Sequence, residues 1–289
     1  MPNGGGNDTS RRTVLAWTLA AWLPLAALVG GLLARSHMAE ADHQRELLHR
    51  AQRTQLLLYD QAVRSELGGV ESDLLVLAEL PRVRRFLQAR DLADRAALDT
   101  LFASVARTKG VYDQVRLLDA SGRELVRADL EDGRATPCPA VDLQDKADRY
   151  YVRAGRMEPE GGVYVSPMDL NVEHGSIQTP HRPMLRLVTG VFVDGERLGL
   201  VVLNYRAREL LDRLDRVSTG VPAEVLLLNR DGYWLKGPDP SLEWGFQLPG
   251  GSDATMARSH PADWARIRDT DTGQFLSKDQ GLVTFTRSE

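Results

Sequence analysis

Two polar side chains stand where the surrounding pattern asks for apolar ones. The stretches Met184–Val193 and Leu198–Tyr205 are rich in β-branched and apolar residues, yet Arg186 interrupts the first and Asn204 the second. Burying a guanidinium without a partner is costly. Arg186 shares a strand face with Met184 and Val188, so it is either half of a buried ion pair or a planar fork offered to a ligand carboxylate. Other residues have the right types for chemistry without the right spacing. Ser166, Asp169, His174 and His181 include the members of a hydrolase triad, but no nucleophile elbow surrounds the serine. The two histidines, with Glu173 beside the first, fit no strong metal motif. Gly161-Gly162 and Gly250-Gly251 stand alone and read as turns, not as a phosphate loop. Cys138, the one cysteine, lies between Pro137 and Pro139 and excludes an intramolecular disulfide. The chemistry on offer is recognition of a small molecule, without catalysis, metal or cofactor.

The elements that must position these residues lie between Asp142 and Leu214. A polar helix opens with the pair Tyr150-Tyr151, and a short strand follows in GGVYVSPMDLN. A hairpin then turns at Asp194-Gly195, where a tight turn needs φ > 0, and runs into a helix. Upstream, VRLLDASGREL (Val115 to Leu125) reads as strand, turn and strand. The same layout returns 110 residues later as VLLLNRDGYWL (Val225 to Leu235), with Asn229 matching Asp119 and Gly232 matching Gly122. Each copy follows a helix, Asp94 to Thr108 and Arg208 to Val217, so the chain carries an internal repeat of one module. Carrying the offset onward places counterparts of the later strands beyond Glu289; Gln274 to Leu276 and Leu282 to Thr286 supply two edge strands, and the second module is expected to be incomplete.

The N-terminal part reads differently. Thr13 to Ala34 contains no charged residue and is long enough to cross a hydrocarbon core. Arg11 and Arg12 before it favour a cytoplasmic N-terminus and an external remainder. A rival reading takes Ser10-Arg11-Arg12-Thr13-Val14-Leu15 as a twin-arginine export signal with a cleavage site near Ala39-Glu40-Ala41, giving an exported solute-binding protein. After the span, Leu56, Tyr59, Val63, Leu67, Val70, Leu74 and Leu77 form one apolar stripe on a long helix ending before Pro81. That stripe covers the domain behind it, and its near-heptad spacing also suits pairing with a second copy. The net charge of -4 is spread over both signs, which argues against nucleic acid as a partner.

Three motifs carry a family resemblance: DKADRYY from Asp145, VYVSPMDLN from Val163, and Gly199 to Tyr205. They resemble the double Cache sensor domains of bacterial membrane receptors, above all those of histidine kinases, over roughly residues 40 to 289. The resemblance implies an α/β (α+β) protein with tandem PAS-like modules on antiparallel sheets. Its divisions are a cytoplasmic tail (1–12), a transmembrane helix (13–34), a stalk or signalling helix (35–81), a membrane-distal ligand-binding module (82–215) and an incomplete membrane-proximal module (216–289). The implied function is sensing of a small extracytoplasmic molecule by an inner-membrane receptor of histidine kinase or diguanylate cyclase type, as a homodimer through the long helix. The implied site takes Asp148, Arg149, Tyr150 and Tyr151 from the covering segment. Tyr164, Ser166 and Asp169 come from the next strand, and Arg186, Thr189 and Asn204 from the sheet. Asp148, Tyr150-Tyr151 and Asn204 depart from the amino-acid-binding version of the family. The expected ligand is a small organic anion, or a zwitterion whose cationic end meets Asp148 or Asp169.

Overall fold

The computed structural model describes residues 7–173, 175–218 and 223–288; within the first helix it describes the side chains of Trp17, Trp22 and residues from 27 onward. Met1–Thr54 and Gln55–Glu289 are separate compact units. The first consists of the early turns of helix α1 (Asn7–Glu79), with i,i+4 pairs such as Glu46–Arg50 at 2.5 Å on its surface. Most side chains of the expected span 13–34, including Arg11 and Arg12 before it, lie outside the described residues. Among the described residues no helix is long and apolar enough to cross a membrane, so the span rests on the sequence.

The second unit is built on a seven-stranded sheet ordered β3-β2-β1-β9-β8-β4, with β5 also pairing β8. The strands are β1 (Tyr112–Asp119), β2 (Glu124–Glu131), β3 (Arg134–Pro137), β4 (Val163–Val165), β5 (Asp169–Leu170), β8 (Pro183–Val193) and β9 (Glu196–Arg206). A small hairpin of β6 (Val172–Glu173) and β7 (Ser176–Ile177) precedes β8. Every pairing in the large sheet is antiparallel. The β8–β9 turn has φ of +50° at Asp194 and +80° at Gly195, the left-handed pair that the sequence demanded.

One face of the sheet is apolar. Val115, Leu117, Val126, Leu187, Val201 and Leu203 meet the second half of α1, α2 (Pro81–Ala89) and α3 (Leu92–Lys109) in the main core. Asp91 caps α3 by accepting from the N–H groups of Ala93 and Asp94. The apolar stripe of α1 is spent on this core: Val70, Leu74 and Leu77 are buried, with Val63 and Leu67 packed beside them. The buried part of the stripe thus does what the covering reading expected, while Leu56, Tyr59, Val63 and Leu67 stay half-buried along the same line. Polar groups fasten the helix as well, since Tyr112 donates to Asp73 and Tyr205 donates to Glu66.

Helix α5 (Ala207–Val217) leads to the C-terminal stretch. It contains the pairs β10 (Leu227–Leu228) with β11 (Trp234–Lys236) and β12 (Thr272–Ser277) with β13 (Gly281–Thr286). Helices α6 (Met256–Ser259) and α7 (Pro261–Ile267) lie between them. The internal repeat persists in detail. Isolated bridges join Arg123 to Asp145 and Tyr233 to Thr255, and Lys146 donates to the carbonyl of Gly122 as Met256 does to that of Gly232 (3.0 and 2.8 Å). Both glycines have left-handed φ, +95° and +83°. At Gly122 a Cβ would also lie 2.8 Å from the Ala147 main chain, so no other residue fits.

Candidate ligand-binding site

The opposite face of the sheet is covered by α4 (Tyr150–Gly155) and the segments flanking it. Strand alternation puts Gln114, Arg116 and Leu118 of β1 on this face, with Asn204, Val202 and Leu200 of β9 and Arg186 and Val188 of β8. Half of it is a small apolar cluster of Leu118, Tyr151, Val152, Val188, Leu200 and Val202. There α4 lies so close that a Cβ on Gly155 would come within 2.3 Å of Val188. The other half is polar. Gln114, Asn204 and Arg186 face one another across three adjacent strands.

Two buried arginines organise the polar half. Arg186 pairs with Asp169 and donates to Asn171 Oδ1 at 3.3 Å. Its guanidinium carbon lies 5.2 Å from the centroid of the Tyr151 ring. Tyr150 donates to the other oxygen of Asp169 at 2.7 Å. Ser166 Oγ accepts from the Arg186 N–H and donates to the Pro167 carbonyl, both at 2.9 Å, so its hydroxyl is structural. Arg116 donates to Tyr151 Oη at 3.0 Å and to Gln114 Oε1, and lies 3.3 Å from Glu124. Gln114 donates to Asp129 at 2.7 Å and accepts from Asn204 Nδ2 at 3.1 Å. Asn204 Oδ1 is buried and has no partner among the described residues.

The electrostatics follow from this crowding. Burial opposes the charge on Arg186, but Asp169 outweighs it and holds the guanidinium ionised. Burial also works to raise the Tyr151 phenol, yet Arg116, Arg186, Lys146 and Arg149 together bring it below its ordinary value. Tyr150 moves the other way, through burial and the Asp169 charge. Lys146 is lowered by burial and by Arg116. Behind the surface, therefore, is a layer in which Arg186 is paired with Asp169 and Arg116 with Glu124, the Arg116 Nε being left without a hydrogen bond.

Beside that layer opens a cleft of about 570 Å³. A β-bulge in β1 between Tyr112 and Gln114 breaks the alternation, and Asp113 and Gln114 both line the cleft. Its charged lining is five carboxylates (Asp113, Asp129, Glu131, Asp142, Glu173) against two guanidiniums (Arg127, Arg182). Amides from Gln114, Gln144, Asn171 and Gln178 and the Thr136 hydroxyl complete the polar wall. Burial raises the Asp113 carboxyl even though Arg206 and Arg182 lie 3.4 and 3.5 Å away.

The fold brings Tyr150, Tyr151, Ser166, Asp169, Arg186 and Asn204 together, with Tyr164 on the same face opposite Val188. Asp148 is exposed, and Arg149 half-buried, at the entrance to α4. Thr189 faces the main core and donates to the Gly162 carbonyl at 2.7 Å. None of these residues lines the open cleft. The carboxylate expected for Arg186 is supplied by the protein itself, as Asp169, and neither Asp169 nor Asp148 faces the cleft. Sequence reasoning missed Arg116, Gln114, Asp113, Asp129 and Asn171. Arg116 carried a visible signal, since it interrupts VRLL as Arg186 interrupts MLRLV.

The result is a mixed sheet-and-helix module with an apolar core on one sheet face and a cleft beside the polar half of the other. The bacterial histidine kinase sensor domain family matches residues 50–289, and the chain belongs to that family. The resemblance drawn from the DKADRYY and VYVSPMDLN motifs is thereby borne out. Among solved structures, a domain of a sensory box/GGDEF family protein from Vibrio parahaemolyticus is similar over 84% of this chain and 89% of its own, at 24% identity and a TM-score of 0.73. The extracellular domain of a histidine kinase is similar over 81% and 82%, at 24% identity and TM-score 0.68. The ligand-binding domain of the Pseudomonas fluorescens chemoreceptor CtaA, solved with L-isoleucine, shares the fold over 84% and 86%, at 16% identity and TM-score 0.54. Comparison with curated sequences gave no match.

Proposed function

We propose that this chain is the extracytoplasmic sensing region of a membrane-anchored receptor, with residues 82–215 as the ligand-binding module, 216–289 as a second module and 13–34 as its membrane anchor. The ligand enters the cleft beside Gln114 and Asn171 and carries an amine, as a zwitterion or an organic cation. The observation that carries this reading is the excess of carboxylates around the cleft, beside arginines already paired from within. A simple anion would have to displace Asp169 or Glu124 from a buried guanidinium, whereas an ammonium group meets a lining in which five carboxylates outnumber two guanidiniums. The L-isoleucine complex of CtaA supports an amine-bearing ligand by analogy of fold. A ligand that prefers one arrangement of the cleft then shifts a two-state equilibrium, and the long helix carries the shift inward.

A thermal-shift screen of the chain in detergent against amines, amino acids, carboxylates and purines tests the proposal. Stabilisation by amines or amino acids is expected, and Asp129→Asn should weaken it. Stabilisation confined to carboxylates would overturn the ligand class.

A further inference from the structure

We infer that the Gln247 side chain is a latch through which the second module reads the ligand cleft. Leu170 lies between two residues of the site: Asp169, paired with Arg186, and Asn171, which lines the cleft and accepts from Arg186. Any ligand that recruits Asn171, or draws Asp169 away from Arg186, moves Leu170 with it. Strand β5 is two residues long, and opposite Leu170 in β8 is Pro183, which has no N–H to donate. Gln247 takes the place of a neighbouring strand. Its Oε1 accepts from the Leu170 N–H at 2.6 Å, and its Nε2 lies 3.5 Å from the Leu170 carbonyl oxygen it donates to. A half-buried main-chain pair left unmet would be costly, so the contact is held in place.

The other end of the latch is fixed in the second module. The Gln247 N–H donates to the Trp244 carbonyl at 2.9 Å, and the Trp244 N–H donates to the Trp234 carbonyl of β11 at 2.8 Å. Trp244 is buried in the same core as the Leu170 side chain, with Phe246 and Leu248 packed against it. Leu170, Gln247, Trp244 and Trp234 thus form one connected line from the cleft wall to a strand of the second module. The inference goes beyond the ligand reading and holds or fails whichever ligand binds.

Hydrogen exchange of the whole chain in detergent tests it without a ligand, using Asn171→Ala to disturb the cleft wall. In the parent chain this change should speed exchange at Leu170 and in β10–β11, by about two- to tenfold, the range for loss of one buried amide hydrogen bond. With Gln247→Ala added, Leu170 should still respond to Asn171→Ala and β10–β11 should not. Unchanged exchange in β10–β11 in the parent background, or the same rise with and without Gln247, overturns the latch. Should Gln247→Ala unfold the second module outright, Gln247→Met gives the reading, because it keeps the length of the side chain and loses both hydrogen bonds to Leu170. Coupling reduced in that variant while the second module stays protected supports the latch, and undiminished coupling overturns it.

Discussion

Asp119 and Asn229 occupy equivalent positions in two successive turns. Each folds a side-chain oxygen back onto the N–H groups two and four residues ahead: Ser121 and Arg123 at 2.9 and 3.0 Å, Asp231 and Tyr233 at 3.0 and 2.9 Å. The same turn is therefore made once with a carboxylate and once with an amide. Burial works to raise the Asp119 carboxyl, but the Ser121 hydroxyl and the two amide donors outweigh it and hold it below the ordinary range.

A pH dependence follows. The folded-state pKa of Asp119 is depressed, so its contribution is present above the unfolded value of about 3.9 and is lost as pH falls through the lower folded value. Asp119→Asn should keep the turn, as Asn229 shows, leave stability at pH 7 within about 1 kcal/mol, and flatten the acid limb. Urea unfolding between pH 7 and pH 3 checks this. An equally steep acid limb in the variant would assign the dependence to other carboxylates.

The Arg186–Asp169 pair is a stability element before it is anything else. Arg186→Met leaves Asp169 with Tyr150 as its hydrogen-bond donor and should cost on the order of 3 kcal/mol, since a partly buried charge loses its counterion. Adding Asp169→Leu should recover part of that loss, giving a coupling of about 1–3 kcal/mol in a double-mutant cycle. Additive losses from the two changes would mean that the pair contributes no mutual stabilisation.

On α1, positions two residues apart should behave oppositely. Leu74 is fully buried and Val76 is 59% exposed. Leu74→Ala should cost about 2–5 kcal/mol and Val76→Ala about 0.5 kcal/mol or less. In a Cys138→Ser background, cysteines at Val70, Leu74 and Leu77 should resist maleimide, while those at Leu57 and Val76 label quickly. If two copies meet along this helix, disulfide cross-links form at the exposed positions and not at Leu74.

Strong periodicity made the scaffold legible. The β8–β9 hairpin, its Asp194-Gly195 turn, the 110-residue repeat and the apolar stripe of α1 all follow from alternation, left-handed turn residues and helical spacing. The site was half legible. Arg186 declared itself by interrupting an apolar strand, and the ion-pair arm of that reading is what the fold contains. Its partner did not, because pairing Asp169 with Arg186 depends on how β5 docks on β8. The cleft was not legible at all. It depends on a bulge that brings two consecutive residues of β1 to one opening, and strict strand alternation would have sent Asp113 and Gln114 to opposite faces.

That bulge makes Asp113 the residue whose titration should be felt by a ligand. Its carboxyl is raised by burial despite Arg206 and Arg182, so it takes up a proton at a higher pH than an ordinary aspartate. An ammonium group in the cleft favours the ionised form. Amine affinity should therefore weaken as pH falls through this raised value, with a proton released on binding at pH values near it. In the ligand-free chain the sense is reversed: the folded form binds the proton more readily than the unfolded one, so protonation of Asp113 favours folding on acidification. Asp113→Asn should weaken an amine found in the screen by about tenfold or more at pH 7, roughly 1.4 kcal/mol, and remove this part of the pH dependence. Calorimetric titration from pH 7 down to pH 4, close to the ordinary aspartate value of about 3.9, in buffers of different ionisation enthalpy, measures both the affinity and the proton count. Amine affinity that stays constant over this range, with no proton exchange, would place the ammonium away from Asp113.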